Sequence, residues 1–512
     1  MIQATSLLEV ESPAKAGLPP LSVASCLLGL FAIDNLLLLH FLGLPLWALA
    51  GLIAVLVMAL TWLCGRFPAD GAPIPYCAVV AAFLLALALC ALGGEGRFFY
   101  SNVDWQVRDA VLRDLATHPW PFAYDIGGTP YFLRAPIGLY LAPAMSGRHA
   151  EIALLLWSSL HLAGIFNLAW HLFERGHQRI IAAIVFVLFS GWDVVGTAIY
   201  SALGLNLPWD HIEPWNAGYQ YSSTFTLISW VPHHAIAGWT CAVAFLLWRK
   251  GLLPVGFFAA TIPLVALWSP LAVMGAVPFA LFAGLHSLRG RAYSIKDVAI
   301  AALCTAVALP ALFYLQIDAQ TVAMRFLPAA LLVWTLCIVL EVLPFVIPLL
   351  REPKSTAIDR PVLLLVLALL LLMPLVQIGV SLDFQMRASI MPLAILSILF
   401  AQWICLLLKQ KPIRRTALAY ALVAVGLGAV TTMLELRRSI IHPPSPSPLC
   451  SLVGVWHKLD NLNVPYSTYL VPLSAMPEGL RYTQVMAGRS DPQKCWDRRW
   501  STPNGWATVS DD

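Results

Sequence analysis

An arginine and an aspartate four residues apart carry the first sign of chemistry. Arg387 stands in DFQMRASIMPL, at the mouth of a long apolar stretch, with Asp383 one helical turn earlier. A guanidinium at that depth is costly unless it is paired or used. Its planar fork suits a bidentate grip on a phosphate or carboxylate. The same spacing equally makes an intrahelical Asp383–Arg387 pair, and both readings stand. Arg325, placed after DAQTVA-Met324, is a second candidate cation. His233 and His234 begin another apolar stretch, in WVPHHAIAGW. Adjacent histidines on a helix point about 100° apart, so the two do not easily ligate one ion. The spacing is not HExxH, and no neighbouring carboxylate completes a zinc set. They read either as hydrogen-bonded interfacial histidines or as partners for a phosphate or a sugar hydroxyl.

Asp104 is the acidic counterpart. In NVDWQVRDAVLRDLA, residues 102–116, Asn102 is a good N-cap, and Trp105, Val107, Val111, Leu112 and Leu115 gather on one side at helical spacing. This predicts a short amphipathic helix lying flat on the outer interface, with Trp120 and Tyr124 as belt aromatics. Asp104 falls in its first turn, where the helix dipole favours the ionised carboxylate. Such a group is a weak base but a good anion for a cation or a sugar hydroxyl. Asp109, Arg113 and Asp114 read as the polar face of that helix. His118, Asp125, Arg134, Asp210 and His211 complete the ionisable groups of the outer loops, each with solvated loop charge as its plain reading. Gly127 and Gly128 mark a loop turn rather than a phosphate cradle. The sequence contains no P-loop, nucleophile elbow or dinucleotide fingerprint, and no CxxC or Cys/His metal spacing.

The elements that must hold these residues are membrane helices. Of 512 residues, 59% are hydrophobic and 11% charged, against about a quarter charged in a soluble domain. Apolar runs near the ~20 residues of a helical span recur along the chain. They are continuous rather than alternating, which excludes a barrel. The reading is an all-α integral membrane protein of about thirteen spans, near 21–42, 45–64, 76–94, 151–173, 180–203, 227–248, 252–268, 271–288, 297–316, 328–350, 361–380, 388–408 and 416–434. Gly43–Pro45 and Ser269–Pro270 make tight hairpins. Alternate short loops carry the basic residues, among them Arg175, Arg179, Arg249, Lys250, Arg289, Arg291, Arg414 and Arg415. That bias puts residues 1–20 in the cytoplasm and the tail, 435–512, outside. Arg437 and Arg438, at the outer end of the last span, run against it.

Within the transmembrane domain, 21–434, the polar outer segments are 95–150, 205–226 and 381–389. Glu9, Glu11 and Lys15 interrupt any signal-peptide pattern at the start. Eight of the ten cysteines lie in apolar runs as small hydrophobes. Cys450 and Cys495, both in the tail, can pair if the tail is outside. The net charge of +4 and the lack of basic tracts give no sign of nucleic acid.

Three segments, NVDWQVRDAVLRDLATHPWP, WVPHHAIAGW and LDFQMRASIMPL, resemble recurring segments of bacterial polytopic proteins that look like the GT-C superfamily of membrane glycosyltransferases. The resemblance covers roughly residues 95–400. It implies an extracytoplasmic active site in the bacterial inner membrane, a polyprenyl-phosphate-linked sugar donor, and a glycan or lipid acceptor. It also implies an acidic residue in the first large outer loop acting as base or metal ligand, and Asp104 occupies that place. A divalent cation would be the one cofactor. The chain departs from the superfamily in placing its large loop after the third span rather than the first; two extra N-terminal helices account for this. On this reading Asp104 orients or deprotonates the acceptor. Arg387 stabilises the departing phosphate, with Arg325, His233, His234, His118 and Asp383 as further substrate contacts. The rival is a transporter or flippase of lipid-linked saccharide, which would put its ionisable residues (Asp34, Glu341, less clearly Asp193) near the midplane. An O-antigen-type polymerase or ligase would share the outer-face chemistry.

Overall fold

The computed structural model describes residues 17–68, 71–205, 207–216, 218–319, 324–327, 331–353, 358–379, 382–458, 466–489 and 491–501. Most of the segment read as the cytoplasmic N-terminus therefore lies outside the described residues. The fold is helical throughout its apolar part. Among the described residues, eight helices are long and apolar enough to cross a membrane: Pro20–Phe41, Leu46–Cys64, Gly147–Leu172, Gly176–Ala202, Pro270–Gly290, Ile295–Gln316, Ile390–Lys409 and Arg415–Ile441. A ninth is made by Leu331–Glu341 and Leu343–Arg351, bent by 60°.

The sequence count of about thirteen exceeds this for physical reasons. Tyr76–Leu92, Val255–Leu267 and Arg360–Leu375 are apolar but only 10–17 residues long, and the last two end in 3-10 turns beside prolines 263 and 374. Pro232–Arg249 has 18 residues but spends two of them on His233 and His234. It is buried along almost its whole length, so protein rather than lipid surrounds it. The run read as one span at 180–203 unwinds between Leu188 and Asp193, the run at 328–350 breaks at Val342, and the last helix continues to Ile441.

The Ile390–Lys409 helix is the axle of the bundle, with 89% of its apolar window buried. At the periphery Leu46–Cys64 is 22% buried and presents Trp47, Met58 and Trp62 outward. Apolar side chains facing out along whole helices are what a lipid solvent permits.

One end of the bundle is capped by a mixed unit that hydropathy does not reveal. Ala123–Ile126 and Thr129–Leu133 form a hairpin, turned at Gly127 and Gly128 with φ of 58° and 81°. The tail completes the sheet on both sides: Leu470–Pro472 pairs antiparallel with the second hairpin strand, and Val485–Ala487 pairs parallel with the first. Cys450 and Cys495 are disulfide-bonded. Arg97 pairs with Glu151 and donates to the Pro446 carbonyl at 2.6 Å, while Ser101 and Ser445 exchange hydroxyl contacts at 2.6 Å.

This cap corrects the reading of the first polar segment. The helix Asp104–Thr117 exists, and Trp105, Val111, Leu112 and Leu115 are buried as expected. Its other side is covered by the tail rather than left to solvent. Asp114, expected on a solvated face, is fully buried and accepts from the Leu452 amide at 2.7 Å and the Tyr124 hydroxyl at 3.0 Å. Asp109 is buried 3.8 Å from Arg97. Tyr124 is therefore interior and not a belt aromatic, while Trp120 is half-buried and packs on His40 and Phe41.

Burial pushes the Asp114 carboxyl up from 3.8 to about 7, with the Leu452 amide, Arg113 and Tyr124 pulling part of the way back. The docked state thus binds its proton more tightly than the unfolded chain does. Tail docking should weaken as pH rises from 3.8 to about 7 and level off above. Amide exchange of the Leu452–Lys458 helix, followed across that window, should show the slope in the native chain and a flatter one in Asp114→Asn. Equal slopes would remove Asp114 as its source.

Candidate active site

Three short elements meet beneath the cap. The first is the N-terminus of Asp104–Thr117. Asn102 accepts the Asp104 amide at 3.1 Å and donates to the Ser229 carbonyl at 2.7 Å, and the Trp105 indole donates to the same carbonyl at 2.7 Å. The NVDW tetrapeptide thereby bolts Asp104 beside the end of the Thr224–Trp230 helix, just before the chain kinks at Val231 into Pro232–Arg249. The third element is the single-turn-and-a-half helix Asp383–Ala388, which carries Arg387. Gly275, on Pro270–Gly290, lets it in. A Cβ there would stand 2.0 Å from the Ala388 carbonyl oxygen. Gly275→Ala should displace the helix and lower activity about tenfold or more at normal protein level, since small misplacements at a reacting centre are expensive. Unchanged turnover would show that the helix can shift without consequence.

Asp104 and Arg387 line one cavity of about 340 Å³, together with Asp383, His211, Gln220 and Trp230. Two acid–base pairs of identical spacing border it. Asp104 accepts from Arg108 at 3.1 Å, and Asp383 pairs with Arg387. In each pair the aspartate side chain is more than a third exposed and the arginine 12%. The carboxylates face the opening and the guanidiniums lie behind them. Arg108 keeps one terminal nitrogen buried with no partner among the described residues. The charges of both arginines act on His233. From the tail, Tyr469 lies near enough to the two pairs to feel the charges of all four residues. Burial, with Asp383 and Asp104 adding, pushes its phenol up and keeps it an O–H donor.

The side wall is aromatic and acidic. The His211 ring stacks on Trp230 at 4.7 Å and 19°, and its Nδ1 lies 2.7 Å from Glu435. Glu435 also accepts from the Trp230 indole at 3.2 Å and pairs with Arg438, which sits over Trp230. Arg438 is thus held inside the fold rather than set at an interface, which removes the conflict it posed in the charge count.

The other sequence candidates lie elsewhere. His233 and His234 are buried beneath the cavity, with ring centroids 3.9 Å apart; His234 Nδ1 is 2.8 Å from the Ser269 hydroxyl, and His233 Nδ1 has no hydrogen-bond partner among the described residues. They support the floor and do not line the cavity. Arg325 is exposed on the strand Met324–Phe326, opposite Gln377, and is not part of the lining. His118 closes the far end of its helix, 14 residues from Asp104 to Thr117, hydrogen-bonded to the Asp114 carbonyl and packed on Phe122. It does not line the cavity. Arg108 was missed as a site residue although the i,i+4 spacing that singled out Arg387 recurs at Asp104–Arg108. Tyr469 and the His211–Glu435 contact join distant parts of the chain and leave no local signal.

Among the described residues, no group of three or more His, Cys, Asp or Glu side chains is arranged to hold a metal ion. Asp104 and Asp383 are each engaged by an arginine, a set that does not suit a divalent cation without displacing one. No protein-family model, curated protein or solved structure matches this chain.

Proposed function

We propose that this chain is an inverting membrane glycosyltransferase that takes a sugar from a polyprenyl-phosphate-linked donor and passes it to a glycan or lipid acceptor on the outer face of the bacterial inner membrane. The observation that carries the reading is the convergence of Asp104 and Arg387 on one cavity, with Arg108 paired to Asp104. In the reaction an acceptor hydroxyl oxygen bonds to the anomeric carbon from one side. The bond from that carbon to the phosphate oxygen breaks on the other, and its electron pair leaves with the polyprenyl phosphate. Asp104 takes the acceptor proton. Arg387 and Arg108, partly withdrawn from water, offer forked donors to the oxygens where charge builds up. Tyr469, a protonated phenol within reach of these charges, is a further candidate donor. The aromatic face of Trp230 suits the apolar side of a sugar ring.

The topology belongs to the same proposal: about thirteen spans, a cytoplasmic N-terminus, and the cap outside. Two observations support it. Residues 123–133 and the tail strands share one sheet, so they lie on one side of the membrane, which requires an even number of crossings between them. The Cys450–Cys495 bond suits an oxidising compartment. Reporters fused after residue 435 should read outside and those near 250 inside. Alkylation of unreduced membranes should leave Cys450 and Cys495 unlabelled. Ready labelling of both, or a cytoplasmic signal from the tail fusion, would reverse the topology.

The direct test is transfer. Membranes holding the protein and supplied with polyprenyl-phosphate sugars should release polyprenyl phosphate in step with glycosylation of an acceptor, and membranes holding Asp104→Asn should not. Polymerase or ligase chemistry of the O-antigen type would appear in the same assay as transfer of a preassembled glycan from a diphosphate-linked carrier.

One feature favours the rival transporter. Glu341 accepts from the Trp215 indole at 2.7 Å, and Asp193 accepts from Ser190 and Thr431 at 2.7 and 2.6 Å. The two acids interact with each other, and each stands next to a break in an apolar helix, at Phe189–Trp192 and at Val342. Buried acids at broken helices are what transporters use. Asp34, by contrast, is boxed in by the indoles of Trp157 and Trp268.

A further inference from the structure

A second cavity, of about 400 Å³, opens sideways between the helices Tyr76–Leu92, Gly147–Leu172, Gly176–Ala202 and Pro232–Arg249. Its walls are alanine, aliphatic and aromatic, among them Ala78, Ala182, Phe166 and Phe186. It lies at the end of Gly147–Leu172 away from the cap. One mouth is cationic. Arg179 rests on the Trp170 face at 3.7 Å and donates through Nε to the Trp170 and Phe173 carbonyls, at 3.2 and 3.1 Å, which leaves its terminal nitrogens for another partner. Lys250 donates to the Leu172 carbonyl at 2.8 Å, and the charges of Arg179 and Lys250 both act on His171, whose Nε2 is buried without a partner among the described residues. The nearby acid Glu174 is exposed and turned to Lys409 at 3.2 Å.

We infer that this groove is a binding site for one anionic phospholipid, its acyl chain lying along the alanine-lined wall and its phosphate held at Arg179, His171 and Lys250. The groove, about 400 Å³ and apolar, suits an acyl chain, and its mouth gathers positive charge around one turn. A zwitterionic lipid would fill the same groove but would bring its own cation to that mouth. Each basic residue near a membrane surface is worth about fivefold in preference for an anionic headgroup. The site is independent of the proposed active site.

Native mass spectrometry of the detergent-released full chain should show phosphatidylglycerol retained over phosphatidylcholine of the same acyl chains. The preference should fall about fivefold in Arg179→Gln and stay unchanged in Arg415→Gln, an exposed arginine outside the groove. Ala182→Phe, which fills the groove, should reduce retention of both lipids. Melting of each variant in phosphatidylcholine alone reports whether it folds. Equal retention of the two lipids by the native chain, or an Arg179→Gln chain that melts normally and keeps the full preference, overturns the inference; so does an Ala182→Phe chain that retains both lipids undiminished.

Discussion

Asp104→Asn should abolish glycan transfer while the protein still inserts and keeps its cap, a loss of about a hundredfold to ten-thousandfold. The substitution preserves size and leaves an oxygen to accept from Arg108, so the helix Asp104–Thr117 and its anchor on Ser229 stay in place. What it removes is the acceptor of a proton. Glu341→Gln is the companion measurement. Under the enzyme reading this buried acid serves the fold, and its amide should retain transfer in whatever fraction of protein folds. Under the transporter reading the order reverses: Asp104, more than a third exposed at the edge of the cavity, tolerates change, and Glu341, beside a helix break, does not. Full activity in a folded Asp104→Asn with none in Glu341→Gln would end the enzyme proposal.

Arg387→Lys should cost about a hundredfold to a thousandfold in kcat, the scale of losing one oriented donor to a developing negative charge. Lysine keeps the charge and the pairing with Asp383 but gives up the planar fork. Arg108→Lys should behave similarly, and the double variant should lose less than the product of the two if both arginines grip one phosphate. Asp383→Asn separates this from a merely local role. A solvent-touched i,i+4 pair supports its helix by only about 0.3–0.5 kcal/mol. If pairing were all that Arg387 did, Asp383→Asn and Arg387→Lys would both be mild. Comparing kcat and KM across the three variants decides: a kcat loss confined to the arginine changes supports phosphate stabilisation, and three near-native enzymes would refute it.

The apolar architecture was legible because lipid demands it. Runs such as 390–409 and 295–316 must be helices whatever their neighbours do. Breaks were partly legible: Pro344 stands just past the bend at Val342, whereas the unwinding at 189–192 depends on the close packing of Gly191 against Glu341. The site was half readable. Asp104 and Arg387 showed themselves by residue type at the mouth of apolar segments, whereas Arg325 and His118 looked the same and lie outside the cavity. Polarity at a loop marks candidates without ranking them. The cap was readable only in pieces, the helix at 104–117, the turn at Gly127–Gly128 and the Cys450–Cys495 pair: its sheet pairs residues 131 and 472, and its buried Asp114 takes its meaning from a backbone amide at 452. Long-range pairings of that kind leave no periodicity to find.

The sheet shared by the first polar segment and the tail also fixes an order in time. A ribosome delivers Asp104 and the hairpin at 123–133 early, then many more helices, and only near the end the strand that follows Tyr469. Until that strand arrives, the hairpin has a bare edge and the helix at 104–117 has one uncovered side. Under the proposed function a half-made chain therefore holds Asp104 without the tail side of its cap, and a chain stopped before residue 470 exposes an unpaired strand edge.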